Sequence, residues 1–195
     1  MMIKKVNGKK LKIIDGLVEI TKIDPTLAVD LKYTKKDNFL KKSVYPVKKA
    51  VLQLEVAKKL AEANSEFHKY GLTIKVWDAY RPLSVQKMMW KIMPDDDFVA
   101  NPSHGSVHNR GAAVDITLID KNGINVEMPS DFDDFTEKAF IDYSGASAQA
   151  IKNREFLAGI MMKHGFTRLK SEWWHFYGPN AYNYPISNVK LEEFS

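Results

Sequence analysis

Two residues of types that commonly bind metal ions, His108 and Asp115, lie seven positions apart in the segment HNRGAAVD. On a continuous helix this spacing would separate them by about 10 Å along the axis, whereas zinc–ligand bonds are only about 2 Å long. A loop that turns into a strand could bring both side chains to one ion, and Gly111 allows a sharp turn between them. The alternative is that Asp115 lies on the solvent face of an edge strand.

A second segment, Glu172-Trp-Trp-His175, places a carboxylate and an imidazole three residues apart among aromatic side chains. Three protein ligands and one water are typical of a catalytic zinc site, so His175 is predicted to be the third ligand. Zinc lowers the pKa of its water, and Glu172 is predicted to be the general base that takes the proton. The alternative is an aromatic core strand with an incidental histidine.

The remaining candidates are an arginine and the other histidines. Arg81 follows a predicted strand, where its guanidinium could polarise a carbonyl or stabilise an oxyanion; the alternative is an Arg–Asp pair on the surface. His104 competes with His108 as a ligand, whereas His68 and His164 lie near predicted helix ends and are interpreted as structural. The chain has no cysteine, so imidazoles and carboxylates are the available metal ligands.

These residues need a scaffold of helices and strands to position them. Three helices are predicted. The first spans 48–70 and would end at Gly71, the second would be capped by Ser84 and run to about 93, and the third spans 153–164 before Gly165. Strands are predicted over 27–34, 72–77, 112–118 and 173–177, with a hairpin turn at 121–123, a turn-rich loop over 101–110 and an acidic loop over 127–148. Residues 1–47 are predicted to hold irregular structure and short strands. Helices that come early and late, with strands between them, indicate an α+β fold with a mainly antiparallel central sheet.

The composition suits a single globular domain over residues 1–195. The chain is 45% hydrophobic, and its net charge of +5 comes from scattered lysines without a nucleic-acid motif, so a solvated surface is favoured over nucleic-acid binding. No apolar run approaches the roughly 20 residues that span a membrane. The N-terminus lacks a signal-peptide pattern, so the cytoplasm is the expected compartment, with the periplasm or cell envelope as the alternative for a processed form.

The motifs, taken in order, resemble the D-alanyl-D-alanine dipeptidase family, which includes the vancomycin-resistance dipeptidase. The resemblance rests on Ser106-Val-His108-Asn-Arg-Gly111-Ala-Ala-Val-Asp115, Glu172-Trp-Trp-His175 and Tyr80-Arg81-Pro82. Asp30-Leu-Lys-Tyr33, the acidic Phe132-Asp-Asp-Phe135 and the C-terminal 153–175 also match, so the resemblance covers most of the chain. It implies the fold of the wider group of zinc D,D-peptidases, which includes the hedgehog-type zinc fold.

The family resemblance also implies roles for particular residues. His108, Asp115 and His175 would bind one zinc ion per chain, Glu172 would act as base and then as acid, and Arg81 would stabilise the tetrahedral intermediate. Ser106 would hold the substrate carboxylate, and Asp133, with Tyr33, would meet the free ammonium group of D-Ala-D-Ala. Asp131 and Asp134 lie close to Asp133, so the choice among the three stays open. His104 falls outside the family motif.

Three alternatives to dipeptide hydrolysis are considered. A D,D-carboxypeptidase or endolysin that cleaves peptidoglycan stems would use the same zinc chemistry with an open cleft and would accept N-acylated substrates. A non-enzymatic zinc-binding module would not need Glu172. A nucleic-acid binder would show salt-sensitive affinity. The oligomeric state is not predicted.

Overall fold

The computed structural model describes residues 2–6, 9–96 and 99–195, with side chains from Leu11 onward within these ranges. The strands are β1 Met2–Val6, β2 Lys9–Ile13, β3 Leu17–Glu19, β4 Ala28–Val29, β5 Val51–Gln53, β6 Leu72–Asp78, β7 Ala113–Asp120, β8 Thr167–Leu169 and β9 Glu172–Tyr177. The α-helices are α1 Ile20–Ile23, α2 Leu54–His68, α3 Leu83–Ile92 and α4 Ala148–Lys163. Short 3-10 helices span Lys32–Thr34, Val107–Arg110, Glu137–Ala139, Ala181–Asn183 and Leu191–Phe194.

A five-stranded sheet in the order β4-β6-β7-β9-β8 forms the centre of the fold. Only the short β4 runs parallel to its neighbour, β6, and the other pairs are antiparallel. Strand β7 is the middle strand, and its first six residues are buried, as expected for a strand covered on both faces. Two smaller sheets, β1-β2 and β3-β5, lie outside it. The predicted α+β class with a mainly antiparallel sheet is confirmed.

The helix predicted over 48–70 begins later in the structure than the prediction has it. Residues Val51–Gln53 form β5, which pairs antiparallel with β3, and the helix starts only at Leu54. Val51 and Leu52 are fully buried, so their apolar side chains are used in strand packing rather than on a helix face. Gly71 ends the following turn at φ +71, as predicted.

The predicted strand over 27–34 is mostly wrong. Only Ala28–Val29 pair with β6, and the chain then turns into a 3-10 helix. The carbonyl of Tyr33 accepts hydrogen bonds from the backbone N–H groups of Val44 and Tyr45, at 2.9 and 3.0 Å, instead of from a sheet partner. This turn directs the buried Tyr33 side chain into the interior of the molecule.

Two helix starts also differ from the prediction. Helix α3 begins after Pro82, and the Ser84 side chain does not cap it. The backbone N–H of Ser84 instead donates to Asn188 Oδ1 at 2.7 Å. Helix α4 begins at Ala148 rather than 153, because the Ser147 hydroxyl accepts a hydrogen bond from Ala150 N–H at 3.0 Å.

The turn predicted at 121–123 is present, but the hairpin is reduced. The Asp120 carboxylate accepts hydrogen bonds from the N–H groups of Asn122 and Ile124, at 2.8 and 2.9 Å. Beyond the turn only an isolated bridge, Ile119 with Asn125, extends the pairing. In the part of the chain described here, no helix is long and apolar enough to cross a membrane.

Candidate metal centre and its cleft

Three potential metal ligands meet where β7 and β9 pair. Asp115 on β7 is the direct cross-strand partner of His175 on β9, and its Oδ1 lies 2.9 Å from His175 Nδ1. His108, on the 3-10 helix before β7, brings Nε2 to 3.3 Å from His175 Nδ1 and 3.4 Å from Asp115 Oδ1. All three residues are buried, and one ligand atom from each lies within 4.8 Å of the others.

The turn that joins His108 to Asp115 is built from local hydrogen bonds. Ser106 Oγ accepts from the His108 N–H at 3.2 Å, and Asn109 Oδ1 accepts from the Ser106 N–H at 2.7 Å, which caps the 3-10 helix. Gly111 then turns the chain at φ +64, as predicted. Because β7 is the middle strand and Asp115 is 3% exposed, the alternative of a solvent-facing edge position is wrong.

The geometry of the three donors suits a small divalent cation. His108 Nδ1 lies 2.7 Å from the Ala79 carbonyl, so this nitrogen carries the proton and the lone pair of Nε2 faces the other two ligands. Tetrahedral bonds of about 2 Å place neighbouring ligands about 3.3 Å apart, close to the spacings seen here. Burial acts to raise the pKa of Asp115, but His108 and His175 outweigh it and hold this pKa below its ordinary value. The site therefore provides one anionic oxygen and two imidazole nitrogens, a donor set that zinc and other divalent metals accept.

Glu172 and Arg81 lie on the walls around these ligands. Glu172 Oε2 is 3.8 Å from His175 Nδ1. The carboxyl group is only partly exposed, and its partial burial raises its pKa. Arg81 is 7% exposed and donates from Nη2 to Asp78 Oδ2 at 2.6 Å, so the Arg–Asp pair exists but is not a surface pair. Burial acts to lower the pKa of Arg81, but the charge of Asp78, together with Tyr45, Tyr33 and the hydrogen bond to Asp78, outweighs it, so the guanidinium stays charged.

A cleft of about 370 Å³ opens above the three ligands. Ser106, Asp133 and Tyr33 line it together with Arg81 and Glu172. The Tyr33 hydroxyl lies 3.2 and 3.3 Å from the two Asp133 carboxylate oxygens. Burial, together with the negative charges of Asp115 and Glu172, raises the pKa of Asp133 well above its ordinary value. All the predicted site residues therefore meet at one cleft.

The three aspartates of the acidic loop have different environments. Asp133 lines the cleft, with its backbone at φ +58. Asp134 accepts from the N–H and hydroxyl of Thr136 at 2.9 and 2.6 Å, which stabilises the following turn. Asp131 is exposed. A positive φ is unusual for a residue other than glycine and is often found at functional sites.

The other histidines lie outside the group of three ligands. His104 is exposed in the loop before Ser106. His164 ends α4, and its Nε2 lies 2.7 Å from Glu66 Oε2 on α2, which matches the structural interpretation.

Two residues that hydrogen-bond Arg81 from behind the cleft were not predicted as site residues. Asp78 accepts hydrogen bonds from Arg81 Nη2 and, at 2.6 Å, from the Tyr45 hydroxyl. Gln86 on α3 accepts from Arg81 Nη1 at 2.9 Å. The signal for Gln86 was a polar residue three positions before the buried Met89, on the core face of an amphipathic helix.

Comparison with known proteins connects this geometry to a family. The family model described as "Peptidase M15: D-ala-D-ala dipeptidase" matches residues 14–192. A D-alanyl-D-alanine dipeptidase of Escherichia coli (strain K12) is 36% identical over 170 residues, which cover 87% of this chain and 88% of that protein. A protein of the same name from Enterococcus faecalis (strain ATCC 700802 / V583) is 29% identical, covering 81% of this chain and 92% of that protein.

A solved structure supports the fold assignment. The LD-carboxypeptidase LdcB aligns with a TM-score of 0.50 and 18% identity, covering 99% of this chain and 92% of that one. At this identity the likeness concerns the fold alone. The family model, however, spans nearly the whole chain, and the sequence identity to the Escherichia coli protein extends over most of both proteins. The chain therefore belongs to the D-ala-D-ala dipeptidase family of the M15 metallopeptidases.

Proposed function

We propose that this protein hydrolyses the dipeptide D-alanyl-D-alanine to free D-alanine in a zinc-dependent reaction. The observation that carries the proposal is the convergence of His108, Asp115 and His175 beneath a cleft whose walls hold Glu172 and Arg81. Membership of the dipeptidase family supports the same substrate.

His108, Asp115 and His175 would hold one zinc ion per chain. When bound, zinc would supply Lewis-acid polarisation of the scissile carbonyl and lower the pKa of a coordinated water. The hydrogen bond from His108 Nδ1 to the Ala79 carbonyl fixes the ring in the tautomer that this role requires. Three protein ligands would leave one coordination position for water, as is typical of catalytic rather than structural zinc sites.

Glu172 would act as the general base and then as the general acid. Its carboxylate lies beside His175 at the cleft wall, where it can take a proton from the attacking water and deliver it to the leaving amine. Burial raises the pKa of Glu172, which makes the protonated form easier to populate in the second step. A purely structural metal site would have no use for this carboxylate.

Arg81 would stabilise the negative charge that develops on the carbonyl oxygen. The guanidinium lines the cleft, stays charged beside Asp78, and is held in place before substrate binds. Such preorganised donors act strongly at a site from which water is excluded.

The two ends of the cleft would recognise the two charged ends of the dipeptide. The Ser106 hydroxyl oxygen accepts from His108 N–H, so its own hydrogen is left to donate to the substrate carboxylate. Asp133, with Tyr33, would bind the ammonium group, whose positive charge would favour the ionised form of this half-buried carboxyl group. An N-acylated substrate would leave this carboxylate without a cationic partner.

We further propose that residues 1–195 form one zinc D,D-peptidase domain. The family model matches residues 14–192. The cleft draws on both halves of the sequence, from Tyr33 to Tyr182. One hydrophobic core cluster includes residues from Leu11 to Phe194.

The test is release of D-alanine by the zinc-loaded protein from D-Ala-D-Ala, with N-acetyl-D-Ala-D-Ala assayed in parallel. We expect cleavage of the free dipeptide, loss of activity after metal chelation, and recovery when zinc is restored. Efficient cleavage of the acetylated substrate would instead indicate a carboxypeptidase that acts on peptidoglycan stems. Failure to cleave either substrate, with zinc bound, would contradict the proposed function.

A further inference from the structure

Gln86 is fully buried, and both the oxygen and the nitrogen of its side-chain amide form hydrogen bonds. It lies on the core face of α3, its Oε1 accepts from Arg81 Nη1 at 2.9 Å, and its Nε2 donates to the Ala100 carbonyl at 2.6 Å. An amide buried without partners would be costly, so this side chain is stable only while it bridges these two groups. Ala100 itself lines the cleft, which places Gln86 between Arg81 and the segment at Ala100.

Arg81 needs more than one contact to keep a single orientation. An arginine has several rotatable bonds, and a single hydrogen bond at Nη2 would let the guanidinium plane swing about that contact. Asp78 holds Nη2, Gln86 holds Nη1, and the Tyr33 ring lies 5.2 Å from Arg81 Cζ. These contacts, on both terminal nitrogens and on one face, define the plane of the guanidinium.

The orientation also leaves one donor of Arg81 without an acceptor. Arg81 Nε is buried and has no hydrogen-bond partner among the described residues. A buried, charged donor without an acceptor is unfavourable, so a free Arg81 side chain would reorient to pair it. The contacts of Asp78 and Gln86 keep Arg81 from turning to satisfy this donor within the protein.

We propose that Gln86 is a positioning residue, which fixes the guanidinium plane of Arg81 for its action on the substrate and couples that plane to the loop at Ala100. The inference rests on the proposed function for its catalytic consequence. The structural part, a guanidinium immobilised by Gln86, stands on the hydrogen bonds alone. Asp78 supplies the charge partner of Arg81, whereas Gln86 supplies the second point of attachment.

The kinetic test combines Gln86→Met with Arg81→Ala in the zinc-loaded protein. Methionine has a similar length and volume, but its thioether is only a weak acceptor for Arg81. We expect kcat for D-Ala-D-Ala to fall about 10- to 100-fold, since small misplacements of a catalytic group have effects of this size, with KM changed by less than about threefold. In the Arg81→Ala background the same substitution should cause no further loss of kcat. An equal loss in both backgrounds would overturn the proposal, because Gln86 would then act through general stability.

A spectroscopic measurement tests the same inference without substrate. Slow rotation of a clamped guanidinium gives resolved Nη signals in ¹⁵N NMR spectra, and Arg81→Lys identifies those of Arg81 by their disappearance. We expect these signals to average in Gln86→Met and to persist in Gln86→Glu, which keeps the acceptor for Arg81 but removes the donor to Ala100. Persistence in Gln86→Met would overturn the proposal whether or not the protein cleaves D-Ala-D-Ala.

A buried amide elsewhere provides the matched control. Asn64 on α2 is also fully buried and hydrogen-bonds three partners, but it does not line the cleft. Asn64→Leu should lower thermal stability while leaving kcat and the Arg81 signals as in the wild type. If Gln86→Met does not fold, Gln86→Glu still tests the clamp, because loss of the resolved Arg81 signals in that folded variant would contradict it.

Discussion

Glu172 differs from the three potential metal ligands in its environment. It is a partly exposed carboxyl group, whereas Asp115 is buried between two imidazoles. The environment separates the two acids, because burial raises the pKa of Glu172 while the histidines lower that of Asp115. Carboxyl groups whose pKa values are pushed apart in this way commonly have different roles in catalysis.

Replacement of Glu172 should therefore affect chemistry more than metal binding. For Glu172→Gln we expect kcat to fall by about 10²- to 10⁴-fold, the usual contribution of a general acid–base, while bound zinc stays at the wild-type level. D-alanine release and elemental analysis check the two parts. Activity within twofold of wild type, or loss of zinc in proportion to activity, would contradict the assignment of the base.

Asp133 is expected to determine selectivity for a free amine. Asp133→Asn should lower kcat/KM for D-Ala-D-Ala by about 10- to 100-fold, because a charge-assisted hydrogen bond contributes about 1.5–3 kcal/mol. The decrease in kcat/KM for N-acetyl-D-Ala-D-Ala should be smaller. The ratio of kcat/KM for the free dipeptide to that for the acetylated one should therefore decrease. The matched control is Asp134→Asn, since that neighbouring carboxylate caps Thr136 instead of lining the cleft. Equal effects of the two variants would argue against an ammonium site at Asp133.

At the scale of secondary structure, the turn at Gly111 joins the 3-10 helix of His108 to the strand of Asp115. Its φ is +64, and a Cβ built there would lie 2.3 Å from Leu17 Cδ2 on β3. The turn therefore depends on glycine for both its backbone conformation and its close approach to β3. Any shift at this point changes the distance between the two ligands.

Gly111→Ala should thus destabilise the protein by about 1–3 kcal/mol and weaken zinc binding. Urea unfolding and competition with a metal chelator measure the two effects. Gly123→Ala is the control, because Gly123 also has a positive φ of +79 but nothing lies within 4 Å of the added Cβ. Zinc affinity that stayed normal in Gly111→Ala would show that the turn does not determine the ligand geometry.

Asn64 connects α2 to the chain before β4 and to β6. Its amide donates to Asp24 at 2.8 Å and its carbonyl oxygen accepts from Ile74 N–H at 2.8 Å. Asn64→Leu would remove these hydrogen bonds and leave the buried Ile74 N–H unpaired, and we expect a loss of about 1–3 kcal/mol in the free energy of unfolding. Ser65→Leu, at the adjacent exposed position, should change stability little. Similar losses in both variants would mean that the hydrogen bonds are not the cause.

At the scale of the whole molecule, several carboxylates are paired in the folded state. Burial acts to raise the pKa values of Asp24, Asp30 and Glu155, but hydrogen bonds and nearby cations outweigh it, so all three lie below their ordinary values of 3.8, 3.8 and 4.5. Glu155 is paired with Arg168, at 2.8 Å, and with Arg154. As the pH falls, these three carboxylates therefore bind protons in the unfolded chain before they do so in the folded one.

This difference predicts acid sensitivity. The stabilisation should be fully present above about pH 5 and should decline as the pH falls through 4.5 and 3.8 toward the lowered folded values. Urea unfolding across this range should show a decreasing free energy of unfolding, and Glu155→Gln should make the decrease shallower. Constant stability down to about pH 3 would contradict the role of these carboxylates.

The sequence by itself determined the kinds of donor and the local turns of the site. With no cysteine and few histidines, the candidate ligands were limited, and the order of the motifs indicated the family that the family model confirms. Gly71, Gly111 and Gly165 all have the positive φ expected of the turns predicted there. These features depend on residue type and on neighbours within a few positions, which a pattern can show.

Only the tertiary structure decided which side chains share the cleft. The β7–β9 register sets Asp115 opposite His175, 60 residues apart, and the turn of the acidic loop selects Asp133 rather than Asp131 or Asp134. The sequence also did not indicate that the Arg81–Asp78 pair is buried or that Gln86 hydrogen-bonds Arg81. Nor did it indicate that β5 precedes α2 or that Ser84 does not cap α3. The physical reason is that strand register, burial and long-range hydrogen bonds depend on packing between distant segments, for which local propensity carries no information.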